Sequence, residues 1–447
     1  MRDILITMFV IGSLPLTLVR PYIGIVMWFL VSYMNFHRMS WGFAYNLQVA
    51  MMVGVATLTA WVITQDKKSI PATGITVLLG MFILWCGVTT VFSIGDEAFG
   101  RFQQFAKIVL MTYVTISLMQ TPERLRILIW VTVVSLGYFS VKGGLFTLAT
   151  AGQYRVWGPP ETFVEDNNAL AMAVLMVVPL MVYLARTVQK KWGRLVMYGC
   201  AASSIISVIG SYSRGAMLGL VALSGMLWWR SKKRLLIGVL GTGVILAALP
   251  LLPQQWFDRM DTIQNYEDEG SAVGRLEIWA VAIDIAARRP LLGGGFRIQN
   301  EDFAYENQPA DFHRRSFHSI YFEVLATQGY PGLLIFLSLG FAAYLTTRWI
   351  KAQTKDRPDL QDEYQLAIFM QCSIVVYAVS GAFQNLATYD LYYGLLAIIV
   401  IARQLVVEKL AVVAPSTDSP IEMELAEPAK ARSFIRAQPE TRSFLRN

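Results

Sequence analysis

Apolar residues in this chain do not alternate with polar ones; they come in long blocks separated by short polar clusters. The clearest blocks run over residues 43–64, 74–94, 105–119, 127–150, 170–184, 195–211, 215–229, 235–252, 333–347, 366–383 and 391–402. A helix of about 20 such residues crosses roughly 30 Å of hydrocarbon, so the pattern predicts a membrane protein with many spans. The alternating ten-residue segments of an outer-membrane barrel are absent, and helices are the other backbone that lipid tolerates. The first apolar stretch reaches Pro15 without a small-residue cleavage pattern and continues to Phe36, so it reads as a retained span. Arg20 and Pro21 interrupt it, which predicts a broken or re-entrant helix, counted here as one crossing. The expected fold is therefore all-α and polytopic, with about 12 transmembrane helices.

One block needs arithmetic. As a single helix, residues 195–229 would measure about 52 Å, too long for one crossing. Glycine and small residues at 210–215, GSYSRG, supply a tight turn, and the turn places Arg214 at a membrane boundary instead of mid-bilayer.

Charge then orients the spans. Lysine and arginine gather in RTVQKKWGR (186–194), RSKKR (230–234) and RWIKAQTKDR (348–357), and span parity puts all three on one side, cytoplasmic by the positive-inside rule. The polar stretch 253–317 falls on the other side with seven arginines, eleven acids and no lysine. The expected organisation is 1–252 as N-terminal spans, 253–317 as one long outer loop, 318–408 as C-terminal spans and 409–447 as a disordered cytoplasmic tail rich in Pro, Ala and Glu. The net charge of +7 sits in short loops and tail, a distribution that suits membrane lipids and gives no nucleic-acid face. Cys86, Cys200 and Cys372 lie in separate apolar blocks and read as packing residues, and three histidines without cysteine or paired acids make no zinc site.

Placed on this topology, the notable polar groups converge on the outer side: Arg101 and Lys107, Arg155 with Asn167 and Asn168, Arg214, and from the long loop Arg275, Arg288, Arg289 and Arg297. Residues 274–290 place Leu276, Trp279, Ile283 and Ala287 on one stripe, which predicts an amphipathic helix at the interface with Gly274 and Arg275 at its N-terminus. Unpaired amides and a guanidinium there would suit a phosphate, while pairing of Arg275 with Glu277 or another of the loop's eleven acids is the structural alternative. Arg214 is open between snorkelling and a functional cation. Asp390, beside Tyr389, Tyr392 and Tyr393, reads as the cap of the last span, with an acceptor-site base as the alternative. In HRRSFHSIYFEVLATQGYPG (313–332), Ser316 is the expected cap and His318 shares a face with Tyr321, Phe322 and Leu325 in the first turn of a helix that enters the membrane. Glu323 points elsewhere. A histidine at that depth serves as a general base near neutral pH, as a phosphate donor when protonated, or as interfacial packing.

Taken together, SYSRGA (211–216), RLEIWAVAIDIAARRPLLGGGF (275–296) and HSIYFEVLATQGYPGLLIF (318–336), supported by RVWGPPETFVEDNNALA (155–171), resemble the O-antigen ligase and polymerase superfamily of bacterial inner-membrane glycosyltransferases. Ser319 departs from the asparagine that often follows the family's histidine. The resemblance implies transfer of a preassembled glycan from undecaprenyl pyrophosphate to lipid A-core at the periplasmic face, inverting, without metal or other cofactor. It implies Arg214 and Arg275 at the pyrophosphate and His318 at the acceptor hydroxyl or leaving phosphate, with Arg101, Lys107, Arg155 and Arg288 as further pyrophosphate candidates. A polymerase and an O-glycosylation ligase share the donor. A transporter or flippase of lipid-linked sugars predicts ionisable groups along mid-bilayer, whereas here they cluster at the outer edge.

Overall fold

The computed structural model describes residues 1–413 apart from 67, 232, 237, 239–242, 244–252, 262–269, 310 and 311. Most of the expected span 235–252, and the tail from 414 onward, therefore lie outside the described residues. The rest is helical, with no strand among the described residues. In chain order the helices are α1 (Arg2–Val19), α2 (Pro21–Met34), α3 (Val49–Ile63), α4 (Gly74–Val91), α5 (Ala98–Leu118), α6 (Pro122–Ala149), α7 (Asn167–Thr187), α8 (Lys191–Gly210), α9 (Arg214–Arg230), α10 (Gln254–Asp261), α11 (Gly270–Arg288), α12 (Ile320–Thr354), α13 (Gln361–Gly381) and α14 (Asp390–Val413). Seven described helices are long and apolar enough to cross a membrane: α1, α4, α6, α7, α8, α12 and α13 taken from Pro358. The chain is thus an all-α polytopic membrane protein.

The break in the first stretch falls at Arg20, and its two arms fold back on each other, because Val10 of α1 packs with Met27 and Val31 of α2. Asp3 closes this hairpin by accepting from the Ala44 amide at 3.0 Å. At the centre, α7 is buried along almost its whole length and packs beside α13 and α8. Small residues bring α6 against α8: a Cβ on Gly144 would lie 2.1 Å from the Ser203 carbonyl oxygen, and the Ser140 and Ser204 hydroxyls meet at 2.7 Å. The final helix runs on to Val413, past the boundary expected at 408.

The basic clusters gather as parity requires. Arg186 donates to Gln365, Arg230 to Gln371 and the Ile368 carbonyl, and Lys351 to Gln371, all on the first half of α13. A cavity of about 330 Å³ lined by Arg126, Tyr183, Asp362, Glu363 and Lys409 lies at this same end. The opposite end carries the 211–213 turn, the start of α12 and the 290–319 loop.

Helix α12 is 35 residues long and broken near its start. Pro331 has no N–H to give the Thr327 carbonyl, and Gly329 adopts φ 68°, ψ −173°, a conformation essentially confined to glycine. The freed carbonyls are satisfied from outside: Gly294 N–H donates to Ala326 O at 2.8 Å and Gly295 N–H to Thr327 O at 2.9 Å, while Tyr330 N–H donates to Pro290 O at 2.9 Å. The LLGGGF segment is therefore a seam that plugs the helix break, and Ile94 N–H, donating to Gly294 O at 3.1 Å, extends it to the end of α4.

Candidate functional site

The site end is built from helix starts and the loops between them. Ser213 caps α9 by accepting from the Ala216 amide at 3.2 Å, so Arg214 is the first helical residue. Its turn is tied to the start of α7, where Asn167 donates to the Ser211 carbonyl at 2.7 Å and Asp166 caps by accepting from the Asn168 and Ala169 amides. Val156 N–H donates to Gly210 O at 3.0 Å, and the exposed Arg155 lies over the Tyr212 ring at 5.7 Å, which places Arg155 beside the Arg214 turn. Gly215 is held close to Phe383: a Cβ there would sit 3.0 Å from the Phe383 Cβ.

From the other side comes α11, whose Trp279 stacks on Phe322 at 4.8 Å, lies 6.4 Å from the Phe383 ring and donates to the Phe317 carbonyl at 2.9 Å. Phe383 thus touches both the Arg214 segment and the helix that carries Arg275. Two expectations for α11 are corrected. It begins at Gly270, so Gly274 and Arg275 lie in its second turn and not at the unpaired amides of its N-terminus. Its packed stripe is Ile278, Val281, Ala282 and Ile285, while Leu276 and Ile283 are about half exposed, so the helix packs on protein with one face and shows a second apolar face outward. Gly274 is the seat of a guanidinium: a Cβ added there would fall 1.4 Å from Arg315 Nη1. Arg315 also forms an ion pair with Glu277, at 4.0 Å.

His318 is half-buried and not helical. Its φ of 49° is left-handed, and the cap of α12 is Ser319, whose hydroxyl accepts from the Tyr321 amide at 3.3 Å, in place of the expected Ser316. The residue that departs from the family's asparagine is therefore the helix cap, a role serine and asparagine share. Arg275, Arg315 and Asp166 all act electrostatically on His318; burial first, then the two arginines, hold its pKa below the ordinary histidine value, and Asp166 opposes them. The imidazole is consequently neutral near pH 7. His318, Arg275 and Arg315 so form one group, with Asp166 and the Arg214 turn beside it. The sequence reads Arg315, with His313 and Arg314, only as attracting anionic substrate or holding the loop at the headgroups, because nothing in HRRSF distinguishes an arginine folded onto a glycine from one in solvent.

The remaining candidates fall elsewhere. Arg288 is committed to the loop fold: it pairs with Asp284 at 2.8 Å and Glu306 at 2.9 Å, donates to Phe303 O at 2.7 Å and lies 3.9 Å over the Phe303 ring. Arg101 donates to Thr388 at 2.7 Å and lies over Phe163 at 5.3 Å. Lys107 is exposed on α5, about 9 Å further along the helix and about 120° around from Arg101, and does not share its face. Asp390 is the buried first residue of α14, one position inside the expected cap. Glu323, set aside in the sequence, accepts from the Ala387 amide at 3.1 Å, and the charges of Arg101 and Arg297 act on it. The third histidine, His37, is buried in a short turn after α2.

Residues 199–337 match the family model described as O-antigen ligase, and residues 1–189 match a family of unknown function. No curated protein matches the chain. The ligase match covers the Arg214 turn, α11 with Arg275, the GGG seam and His318, and through it the chain belongs to the O-antigen ligase superfamily.

Proposed function

We propose that this protein transfers a preassembled glycan from undecaprenyl pyrophosphate to a hydroxyl of lipid A-core, at the periplasmic face of a bacterial inner membrane. The observation that carries the reading is the grouping of a half-buried His318 with Arg275 and Arg315, beside the Arg214 turn, where burial and the two arginines favour the neutral imidazole. Neutral imidazole is the form that accepts a proton, so His318 acts as general base on the acceptor hydroxyl. The acceptor oxygen forms its bond to the anomeric carbon as the bond from that carbon to the pyrophosphate oxygen breaks, which inverts the configuration. The hydroxyl proton passes to His318. Charge develops on the departing pyrophosphate, and guanidiniums offer it bidentate donors: Arg214 and Arg275 are assigned here, with Arg315 supporting. Arg155 flanks the Arg214 turn and attracts the anionic donor, whereas Arg288, Arg101 and Lys107 are left out of pyrophosphate binding on their positions. No metal or other cofactor is assigned a step.

A second reading keeps the donor and changes the acceptor. The stretch matched to the ligase family starts at residue 199, and α1 to α7, including the loop that carries Arg155 and Asp166, match a different family. An O-glycosylation ligase, with a protein hydroxyl as acceptor, follows if that half selects the acceptor. The test is a reconstituted reaction with purified carrier-linked glycan and chelator, offering lipid A-core, carrier-linked glycan or protein in turn. Transfer to lipid A-core supports the first reading, transfer to protein alone the second, and transfer to carrier-linked glycan alone identifies a polymerase. Complete loss of turnover in the chelator contradicts the metal-free step.

A further inference from the structure

A carboxylate one turn inside a membrane-entering helix is unfavourable unless something compensates it, so its partners indicate its use. Glu323 is the fourth residue of α12. Its Oε2 accepts from the Ala387 amide at 3.1 Å, in the segment that joins α13 to α14, and the charges of Arg101 and Arg297 act on it. Arg101 in turn donates to Thr388 in the same segment at 2.7 Å and lies over Phe163, whose ring is 6.0 Å from Tyr389. Arg297 belongs to the long loop, just past the GGG seam. One carboxylate is thus bonded to segment 382–389, whose Phe383 touches Gly215 next to Arg214, and lies in the field of Arg101, which reaches loop 154–166 at Phe163, and of Arg297 in the long loop.

We propose that Glu323 is a positioning residue, a latch that holds segment 382–389 in place and through Phe383 keeps the Arg214 turn against the helix carrying Arg275. This rests on the reading above that Arg214, Arg275 and His318 serve the transfer. The latch accounts for a carboxylate at this depth, bonded to the same segment that Arg101 binds through Thr388. It also gives Arg101 a place outside pyrophosphate binding.

The test pairs amide hydrogen exchange over residues 382–389 with transfer kinetics in the full-length protein, using carrier-linked glycan as donor. Losing a hydrogen bond to a charged group corresponds to roughly tenfold or more, so Glu323→Ala is expected to speed exchange over 382–389 and to lower kcat by about tenfold each, with donor KM within about twofold. Glu323→Gln keeps an oxygen that accepts from Ala387 and is expected to recover most of both losses. Thr388→Val, which removes only the Arg101 acceptor, gives a smaller shift in the same direction and serves should Glu323→Ala fail to insert. Unchanged exchange in both Glu323→Ala and Thr388→Val overturns the latch, and faster exchange with unchanged kcat overturns its positioning role. The exchange measurement needs no turnover, so it decides the latch even where the transfer reading fails; His318→Ala, by contrast, is expected to abolish transfer with exchange over 382–389 unchanged.

Discussion

Gly329→Ala tests how the long loop is fastened to α12, the helix that begins just after His318. At φ 68°, ψ −173°, any side chain is strained by about 1–3 kcal/mol. The new Cβ would also lie 2.4 Å from Leu291 O and 2.7 Å from Pro290 O, both backbone atoms that no rotamer change relieves. Restoring ordinary contact requires the seam to retreat by roughly 1 Å. Three bonds of 2.8–2.9 Å, Gly294 to Ala326, Gly295 to Thr327 and Tyr330 to Pro290, then stretch beyond hydrogen-bond length. At about 1 kcal/mol each they contribute about 3 kcal/mol, so the docked seam loses about 4–6 kcal/mol in all. That corresponds to an opening equilibrium raised by about three orders of magnitude or more. Hydrogen exchange of the purified protein should show it as loss of protection over 290–297 and 324–330, with the core of α7 unaffected, and glycan transfer should fall in parallel. Wild-type protection at both segments would refute the claim that the seam holds the loop.

Other substitutions separate catalytic from structural groups. If His318 is the base, kcat/KM should decline on the acid side through a pKa below about 6.5, and the limb in kcat should lie at higher pH, because bound pyrophosphate favours imidazolium. The same depressed pKa means that the unfolded chain binds the proton more tightly, so this group's contribution to stability is full above about pH 6.5 and is lost as pH falls through the folded value; a melting temperature that rises on acidification over that window in wild type but not in His318→Gln contradicts the sign. Arg288→Ala should loosen the 302–306 segment in hydrogen exchange while donor KM stays within about threefold, since its partners are loop groups. Ser319→Asn should retain activity and Ser319→Ala should lose about 1 kcal/mol of helix-start stability, measured by thermal unfolding, if the residue acts as the cap.

The sequence carried the fold class and much of the site because both rest on local signals. Apolar block length set the helices, the break at Arg20 was legible from Arg-Pro in an apolar run, and the GSYSRG turn followed from helix length alone. What escaped depended on contacts between distant segments. Ser316 and Ser319 are equally good caps in the sequence, and only the packing of Phe317 under Trp279 delays the helix to Ile320. The helix break at Gly329 was hidden in QGYPG, because its compensation comes from glycines more than thirty residues earlier. Periodicity found a stripe on α11 but chose Leu276 and Ile283, since in a protein bounded by lipid an apolar face need not be the buried one. Arg288 and Arg315 look alike in sequence, yet one is fastened to loop carboxylates and the other rests on Gly274 near His318.

The central claim is that His318 takes the acceptor proton in a site whose arginines bind the leaving pyrophosphate. The most direct test is single-turnover transfer from carrier-linked glycan to lipid A-core by purified wild type and His318→Ala, at saturating donor and with donor binding measured in the same samples. Loss of a general base predicts a rate lowered by about 10²–10⁴-fold with donor affinity within a few fold. A His318→Ala rate within about threefold of wild type, at full donor occupancy, would contradict it.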